Sequence, residues 1–371
     1  MWRDLPFDLL ANIFSFLSAD SLACAASTCR LWKKCAKTHH PLASNSSSSW
    51  FMALPIRHHE NLSCFAQNPT NRNWHLISLD FLPTPIRPLT SMGGLVFFRT
   101  TVPTNLHLLV CNPFTREFKK LPMLNTPRCN PAVGVIAPAT GTAQDPSSPH
   151  FQVYVAGGMS EGSTYEPTLE VYDSKRDTWR IVGPLPMEFA VRLTVWTPND
   201  SAYCDGVLYW ITSARAYSLM GCDISSNSWR ELRVPMAEWL EFAALVLRKG
   251  RLTVVGGTCG GGGASVWELG EGEKWVLVGK VPVEMGVKFV GEKESWARTK
   301  CVGCDGAIYL SRDVGSGMIA WKEVGESGEW EWFWVEGCSS SVRDKKVPNL
   351  QVKGVVLSPN LAHSRFFSDQ K

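Results

Sequence analysis

Histidine and cysteine are the side chains of this chain best suited to catalysis or metal binding, and their spacing supports neither. Of the eight histidines, only His150 and His363 lie beyond residue 107, so most of the chain cannot supply a Ser-His-Asp site or imidazole ligands for copper. The pairs His39-His40 and His58-His59 have no cysteine or carboxylate at ligand spacing. We therefore predict no histidine-based catalytic or metal site.

One CxxC pair and one glycine run need a separate explanation. Cys301 and Cys304 have no second pair and no histidine partner, and the tripeptide CDG at residues 304–306 also occurs at 204–206. Repetition therefore explains Cys304 better than zinc does. The run from Gly260 to Gly263 lacks the Lys-Ser/Thr pair and the helix start of a phosphate loop. We predict no catalytic residue, cofactor or metal. A hydrolase that uses carboxylates alone remains an alternative, although no spacing of Asp and Glu residues in the sequence supports it.

The composition is that of a chain with a buried core and no strong affinity for nucleic acid. Its 371 residues are 44% apolar and 19% charged, and its net charge is +3. The start MWRDLP lacks the apolar run of a secretory leader, and no apolar stretch approaches the ~20 residues that span a membrane. We expect an intracellular protein, in the nucleus and/or cytoplasm, with reduced cysteines and no nucleic-acid or membrane partner.

The first forty residues predict three short helices, with the second beginning after residue 21 and the third at residue 30. Pro6 suits the first position of a helix because its missing N–H needs no partner there. Leu9, Ile13, Phe16 and Leu17 then share one helical face. Fully burying such a side chain stabilises a protein by ~1.5–3 kcal/mol, so this stripe either packs on its own chain or docks on another protein.

The segment LPFDLLANIFSFLSADSLACAASTCRLWKKCA resembles an F-box. The anchor positions of that family pattern are occupied by Leu5, Pro6, Leu9, Leu10, Ile13, Phe16, Leu17, Leu22, Cys29 and Trp32. The resemblance implies that residues 1–40 form an F-box domain whose anchors bind a Skp-type adaptor. Through that adaptor they would reach a cullin and a RING subunit, and they would catalyse nothing.

A serine-rich linker at 41–49 separates this segment from a repeat that fills residues 50–362. Each unit has an apolar strand, then Asn, Asp or Glu, a short polar turn and an aromatic residue that opens the next strand. The pairs are Asn68/Trp74, Asn112/Phe118, Asp173/Trp179, Asp223/Trp229, Glu268/Trp275 and Glu323/Trp330. An Asn or Asp side chain at this position can accept a hydrogen bond from the backbone two residues later. Gly94, Gly206, Gly250 and Gly306 begin further apolar strands, which makes four strands per unit.

Six four-stranded units with a period near 50 predict a mainly β fold, a six-bladed β-propeller preceded by the small three-helix F-box domain. The glycine doublets Gly157-Gly158 and Gly256-Gly257 at strand ends resemble the kelch repeat, and the whole chain resembles plant F-box/kelch proteins. The first unit has room for only three strands. We predict that a strand near 350–359 supplies the fourth and closes the ring, and that 363–371 is a tail.

The predicted propeller carries arginines in the loops between second and third strands and between blades, which emerge on one face. The candidates for binding a target are Arg99, Arg128, Arg192, Arg215, Arg298 and Arg312, with Lys288 beside them. Guanidinium groups bind carboxylates or phosphates well, so we expect this face to prefer an acidic target segment. Solvated side chains or pairing with neighbouring Glu remain the alternative for each residue. Glu241 occupies the position of Arg192 one unit later and makes the face uneven.

The resemblance implies the substrate-recognition subunit of a Skp-cullin-F-box type ubiquitin ligase, which is not itself an enzyme. Its propeller would bind a target protein for ubiquitination, and the residues do not identify that target. Two alternatives stay open: a non-degradative scaffold tethered by the F-box, and a propeller enzyme, against which the shortage of histidines argues.

Overall fold

A computed structural model gives the arrangement of the chain. It describes residues 5–15, 17, 19–38, 49–56, 62–69, 72–83, 85–100, 105–137, 150–194, 200–213, 216–258, 263–291, 295–304, 306–325, 328–338, 341–342, 345–346, 351–360 and 364–367. No helix within these ranges is long and apolar enough to cross a membrane.

Three short helices form the N-terminal unit: α1 (Phe7–Ser15), α2 (Ala19–Thr28) and α3 (Arg30–Thr38). Leu10 and Phe14 of α1 pack against Leu22 of α2 and Cys35 of α3, and all four side chains are buried. This cluster is small, because so short a segment can cover only part of its apolar surface.

Six four-stranded antiparallel sheets, which we call blades 1 to 6, make up the rest of the described chain. Blade 1 contains β1 (Trp50–Pro55), β2 (Ser63–Gln67) and β3 (Trp74–Ser78), and blade 2 contains β4 (Ile86–Met92), β5 (Leu95–Thr100), β6 (Leu108–Asn112) and β7 (Glu117–Lys120). Blade 3 contains β8 (Ala132–Ile136), β9 (Gln152–Ala156), β10 (Thr168–Asp173) and β11 (Thr178–Pro184). Blade 4 contains β12 (Ser201–Cys204), β13 (Val207–Thr212), β14 (Ser218–Asp223) and β15 (Ser228–Arg233).

Blades 5 and 6 complete the set. Blade 5 contains β16 (Leu240–Arg248), β17 (Arg251–Thr258), β18 (Ala264–Leu269) and β19 (Trp275–Lys280), and blade 6 contains β20 (Lys300–Cys304), β21 (Ala307–Ser311), β22 (Met318–Val324) and β23 (Glu329–Val335). The remaining elements are α4 (Met187–Leu193) between blades 3 and 4, α5 (Val283–Val290) between blades 5 and 6, the short strands β24 (Ser341–Val342) and β25 (Lys345–Lys346), the strand β26 (Val352–Leu357), and 3-10 turns at Glu271–Glu273 and Arg365–Phe367.

The blades close into a ring, as the repeat predicted. Strand β26 pairs with β1 from Trp50↔Leu357 to Pro55↔Val352, so the chain end provides the innermost strand of blade 1. The innermost strands β26, β4, β8, β12, β16 and β20 each contact the next one, and β20 contacts β26 again. Six apolar clusters lie one at each interface between neighbouring blades. The fold is therefore a mainly β, six-bladed propeller.

The Asn and Asp residues of the repeat form the turns expected of them. The side-chain oxygen of Asn112 accepts the backbone N–H of Phe114 at 3.0 Å, and that of Asp173 accepts the N–H of Lys175 at 2.9 Å. Blade 5 differs, because the Glu268 carboxylate turns inward and accepts hydrogen bonds from Arg248 and Arg251. Its turn is made instead by Gly272, whose positive φ of 65° favours glycine.

Three of the repeated tryptophans connect neighbouring blades. The indole N–H of Trp74 donates to the Glu336 carbonyl at 3.0 Å, and those of Trp179 and Trp275 donate to the carbonyls of Pro122 and Arg233 at 2.8 Å. Each acceptor follows or ends the outermost strand of the preceding blade. Blades 1, 3 and 5 therefore each make the same kind of hydrogen bond to the preceding blade. The corresponding aromatic residue of blade 2 is a phenylalanine, which has no donor for such a bond.

Residues 364–367, which lie in the segment that the sequence predicted as a tail, add to the core. Phe366 and Phe367 are buried in the cluster between blades 2 and 3, where the Phe366 ring lies 5.1 Å from that of Phe151. The ammonium group of Lys119 lies 4.8 Å from the centre of the Phe366 ring. A length of chain beyond the closing strand is therefore part of the folded propeller.

Candidate functional site

Helix α1 presents two different apolar pairs to two different environments. Leu10 and Phe14 are spaced four residues apart and point into the helical cluster. Leu9 and Ile13 have the same spacing on the neighbouring face, and their side chains are 53% and 41% exposed. Because two exposed branched side chains on one helical face gain free energy only by contact with something else, this face is the candidate docking surface of the N-terminal unit.

The ten predicted F-box anchors divide between these two environments. The exposed ones are Pro6, Leu9, Ile13 and Cys29, the half-buried ones are Leu5, Leu17 and Trp32, and the fully buried ones are Leu10 and Leu22. Phe16 lies outside the described residues. The anchors therefore mix residues that hold the helices together with residues that are available to a partner.

One further residue, Leu31, belongs to this surface, and the anchors Cys29 and Trp32 support it. Leu31, the second residue of α3, is an exposed side chain that the sequence pattern did not single out. The Cys29 sulfur accepts the backbone N–H of Trp32 at 3.4 Å and so caps the start of α3. The Trp32 ring then packs edge-on against Phe14 at 5.4 Å, which ties α3 to the buried side of α1.

The propeller has two different faces. We call the side with the loops between second and third strands and between blades the loop face, and the opposite side the turn face. Phe114 lies in the turn between β6 and β7, on the turn face, and packs against the helical cluster and against Trp50. The helices therefore contact the face opposite to the predicted target-binding loops.

Arg128 is not part of an accessible arginine rim. Its side chain is 0% exposed and pairs with Glu170 of β10, which is equally buried. Its other donors reach the carbonyls of Thr168 at 2.9 Å and Gly157 at 3.2 Å. The second Glu170 oxygen accepts the backbone N–H of Asn125 at 2.9 Å, so this charge pair is fully satisfied inside the fold. The proposed role of Arg128 in target binding is therefore wrong.

Arg192 and Arg312 are also occupied by their own chain. Arg192 donates to Glu231 at 2.9 Å and to the Ser218 hydroxyl. Arg312 donates to the Val290 carbonyl at 2.8 Å, at the end of α5. The alternative of pairing within the chain thus holds at these two positions. Arg298 is exposed on the loop face, and Arg215 lies outside the described residues.

Of the predicted arginines that the structure describes, Arg99 is the one that lines the central channel. The channel encloses a cavity of about 630 Å³ lined by the innermost strands, and Arg99 lines it together with Arg87. Burial, and secondarily the charge of Arg87, lowers the pKa of the Arg99 guanidinium. Arg87 lies in the strand β4 and was missed because the candidates were predicted in loops, although Arg99 itself lies in the strand β5.

An ion pair spans the channel. The Lys353 ammonium, on β26 of blade 1, lies 3.2 Å from the Asp200 carboxylate, just before β12 of blade 4. In a ring of six blades, blades 1 and 4 are three positions apart and therefore face each other across the channel. The Glu241 carboxylate also lines the channel and accepts the Ser295 hydroxyl at 3.0 Å and a backbone N–H.

A second depression of about 950 Å³ lies on the loop face beside the channel. It runs between α4 and the segment before β16, and Val191, Met236 and Trp239 line it. The Trp239 side chain is 64% exposed, which is unusual for the largest apolar side chain. Tyr217 lines both this groove and the channel, so the two are neighbours.

The comparisons with known proteins agree with both parts of this architecture. Residues 2–42 match the F-box-like family model, and residues 152–186, which contain most of blade 3, match the Kelch motif. The chain is 22% identical over 92% of its length to the protein UNUSUAL FLORAL ORGANS of Arabidopsis thaliana, of which it covers 80%. It is 25% identical to F-box only protein 6 and 24% identical to an F-box/kelch-repeat protein of the same plant, with 91% and 96% of the chain matched and 70% and 89% of those proteins covered.

These matches define a class. The chain is similar to plant F-box/kelch-repeat proteins, with an F-box-like segment at its N-terminus and a kelch-type propeller after it. The F-box/kelch-repeat proteins that it resembles are typically non-catalytic adaptors. Among the described residues no group of three or more His, Cys, Asp or Glu side chains comes together as metal ligands would.

Proposed function

We propose that this protein is the substrate-recognition subunit of a Skp-cullin-F-box type ubiquitin ligase. The three N-terminal helices would act as an F-box that binds a Skp-type adaptor and thereby a cullin and a RING subunit. The propeller would bind the target protein on its loop face. The observation that carries this proposal is the exposed pair Leu9 and Ile13, on a helix whose neighbouring face is already buried.

The physical role of such a subunit is proximity. A target bound on one part of the chain, while another part is docked on the ligase, meets the conjugating enzyme at a high effective concentration. The chain then needs two binding surfaces and no reactive group. The helices contact the turn face through Phe114, which leaves the loop face open to the target. This role also requires residence inside the cell, in the nucleus or cytoplasm.

The adaptor interaction is tested by co-purification of the full chain with a Skp-type adaptor. We expect the double variant Leu9→Asp, Ile13→Asp to lose at least tenfold of the captured adaptor, because two carboxylates would enter an apolar contact. The matched control is Ile181→Asp, at a side chain that is 53% exposed on β11 and far along the chain from the helices. The control should capture as much adaptor as the unmodified chain, and all three should melt at similar temperatures.

Equal capture by the double variant and the control would refute the adaptor role. The ligase role is measured separately, by the abundance of proteins captured on the propeller with and without proteasome inhibition. Accumulation of a captured protein under inhibition, absent in the double variant, supports target ubiquitination. A captured protein that stays constant under inhibition would instead make the chain a tethered scaffold.

A further inference from the structure

In the described part of the central channel, the carboxylates have partners within the chain, whereas most of the cations have no carboxylate partner. The channel is lined by Arg87, Arg99, Lys300 and Lys353 and by the carboxylates of Asp200 and Glu241. Both carboxylates are already engaged, Asp200 by Lys353 and Glu241 by Ser295 and a backbone N–H. Among the described residues, no carboxylate pairs with Arg87, Arg99 or Lys300. The described lining of the channel therefore holds an excess of positive charge.

Arg87 and Arg99 sit directly opposite each other in the ladder between β4 and β5. Side chains at such positions point to the same side of the sheet, where like charges repel and destabilise the pair. Arg99 is half-buried, so water screens this repulsion less than it would at the surface. The propeller thus keeps an arrangement that costs it stability, as proteins commonly do at binding sites.

The excess charge lies at the end of the channel that opens on the loop face. Lys353 and Arg87 are the second residues of β26 and β4, and Lys300 is the first residue of β20. Since innermost strands start from the loops between blades, these three residues are near the loop face. They belong to blades 6, 1 and 2, whereas the carboxylates come from blades 4 and 5. One half of the channel mouth is therefore cationic.

We propose that Arg87, Arg99 and Lys300 form an anion-binding site that accepts an acidic side chain, a carboxylate or a phosphate, from the bound target. The proposal rests on the proposed function, since it places the target on the loop face. Guanidinium groups bind both anions in forked geometry, and Lys300 adds a point charge. The neighbouring groove at Trp239 offers an apolar contact for residues adjoining the acidic one, because Tyr217 lines both depressions.

The test measures binding of short peptides to the purified full chain by calorimetry, without the adaptor. The probes are octaglutamate, octaglutamine and octaglutamine with one central phosphoserine, with inorganic pyrophosphate as a free anion. We expect one or both charged peptides to bind and octaglutamine not to bind, with an affinity that falls as salt rises. Stronger binding of octaglutamate assigns a carboxylate to the site, and stronger binding of the phosphoserine peptide assigns a phosphate.

The variant Arg99→Gln should lower the peptide affinity at least tenfold, and Lys300→Gln should lower it less. Arg298→Gln is the matched control, an exposed arginine on the same face outside the channel lining, and should change the affinity less than twofold. Arg99→Gln should also raise the melting temperature at low salt, because it removes a half-buried like charge.

Four results would overturn the proposal: equal binding of all the peptides, binding of none of them, equal losses in Arg99→Gln and Arg298→Gln, or binding of pyrophosphate alone. A lower melting temperature for Arg99→Gln with unchanged peptide affinity would make this residue structural and would overturn it as well. Because none of these measurements uses the adaptor, their failure is distinct from a failure of adaptor capture.

Discussion

The N-terminal helices bury Leu10, Phe14 and Leu22 against one another and leave Leu9 and Ile13 in water, whereas each blade of the propeller has an apolar cluster on both sides. The two regions differ in size and in closure. A helical unit of about thirty residues cannot surround all of its apolar side chains. A ring of six sheets has no end blade, so every blade finds a neighbour.

The difference indicates which region depends on a partner. The propeller satisfies even its buried charges internally, as Arg128 and Glu170 show. The cationic channel mouth and the groove beside Trp239 lie together on its loop face. On the helices the exposed apolar pair lies on the element that the F-box-like match covers. Three experiments test whether the propeller is self-contained in this way.

Removing the closing strand should have the largest effect. A chain that ends at residue 350 lacks β26, whose Val355 and Leu357 belong to the cluster between blades 1 and 2 and whose Val352 and Val356 belong to the cluster between blades 6 and 1. We expect the cooperative unfolding transition to disappear in calorimetry, because two of the six interfaces lose β26 and a third, between blades 2 and 3, loses Phe366 and Phe367. A chain that ends at residue 367 is the control and should melt like the full chain. A cooperative transition at the original temperature in the shorter chain would show that the ring does not need β26.

Breaking the buried ion pair should have the next largest effect. Arg128→Met or Glu170→Leu alone leaves an unpaired charge in the interior, and we expect each to lower the free energy of unfolding by about 3–5 kcal/mol. The double variant should lose less than the two losses added together, because it leaves neither charge behind. Denaturant unfolding of the four proteins measures this coupling. Single losses near zero would place the pair in contact with water, contrary to its burial.

Thiol reactivity distinguishes the helices from the propeller in the unmodified protein, so this experiment does not alter the stability of the fold. Burial raises the pKa of the Cys64 and Cys222 thiols in the propeller to about 12, so at pH 8 almost none of either is the reactive thiolate. Cys29 in the helices is exposed. We expect an alkylating reagent at pH 8 to label Cys29 in the native chain and to label the other two only after denaturation. Peptide mapping by mass spectrometry measures each site, and early labelling of Cys64 would mean that its blade opens readily.

Much of the propeller could be predicted from the sequence because its repeat depends on interactions between residues that are close along the chain. Asn112 and Asp173 start turns through hydrogen bonds to residues two positions away, which depend on no distant contact. Glu268 broke the pattern because a carboxylate on a longer side chain can reach arginines of neighbouring strands instead. The burial of Phe366 and Phe367 was missed, since nothing in the last residues resembles the repeat.

The candidate binding residues were predicted less well, for a physical reason. Six arginines predicted in similar loops look alike in sequence, yet Arg128 is buried, Arg192 is paired and Arg99 lies opposite another arginine in the sheet. What an arginine does depends on the groups that the fold brings to it. Glu170 lies 42 residues from Arg128 along the chain, and spacing alone does not connect them.

By itself, the sequence determined the two-part organisation, the number of blades and the turns, because each of these follows from short-range periodicity and the conformational preferences of single residues. Only the tertiary structure decided which of two equally spaced pairs on α1 faces water, and which cations line the channel without a carboxylate partner among the described residues. Such outcomes depend on contacts between distant segments, as between Asp200 and Lys353, which come within 3.2 Å only when the ring closes.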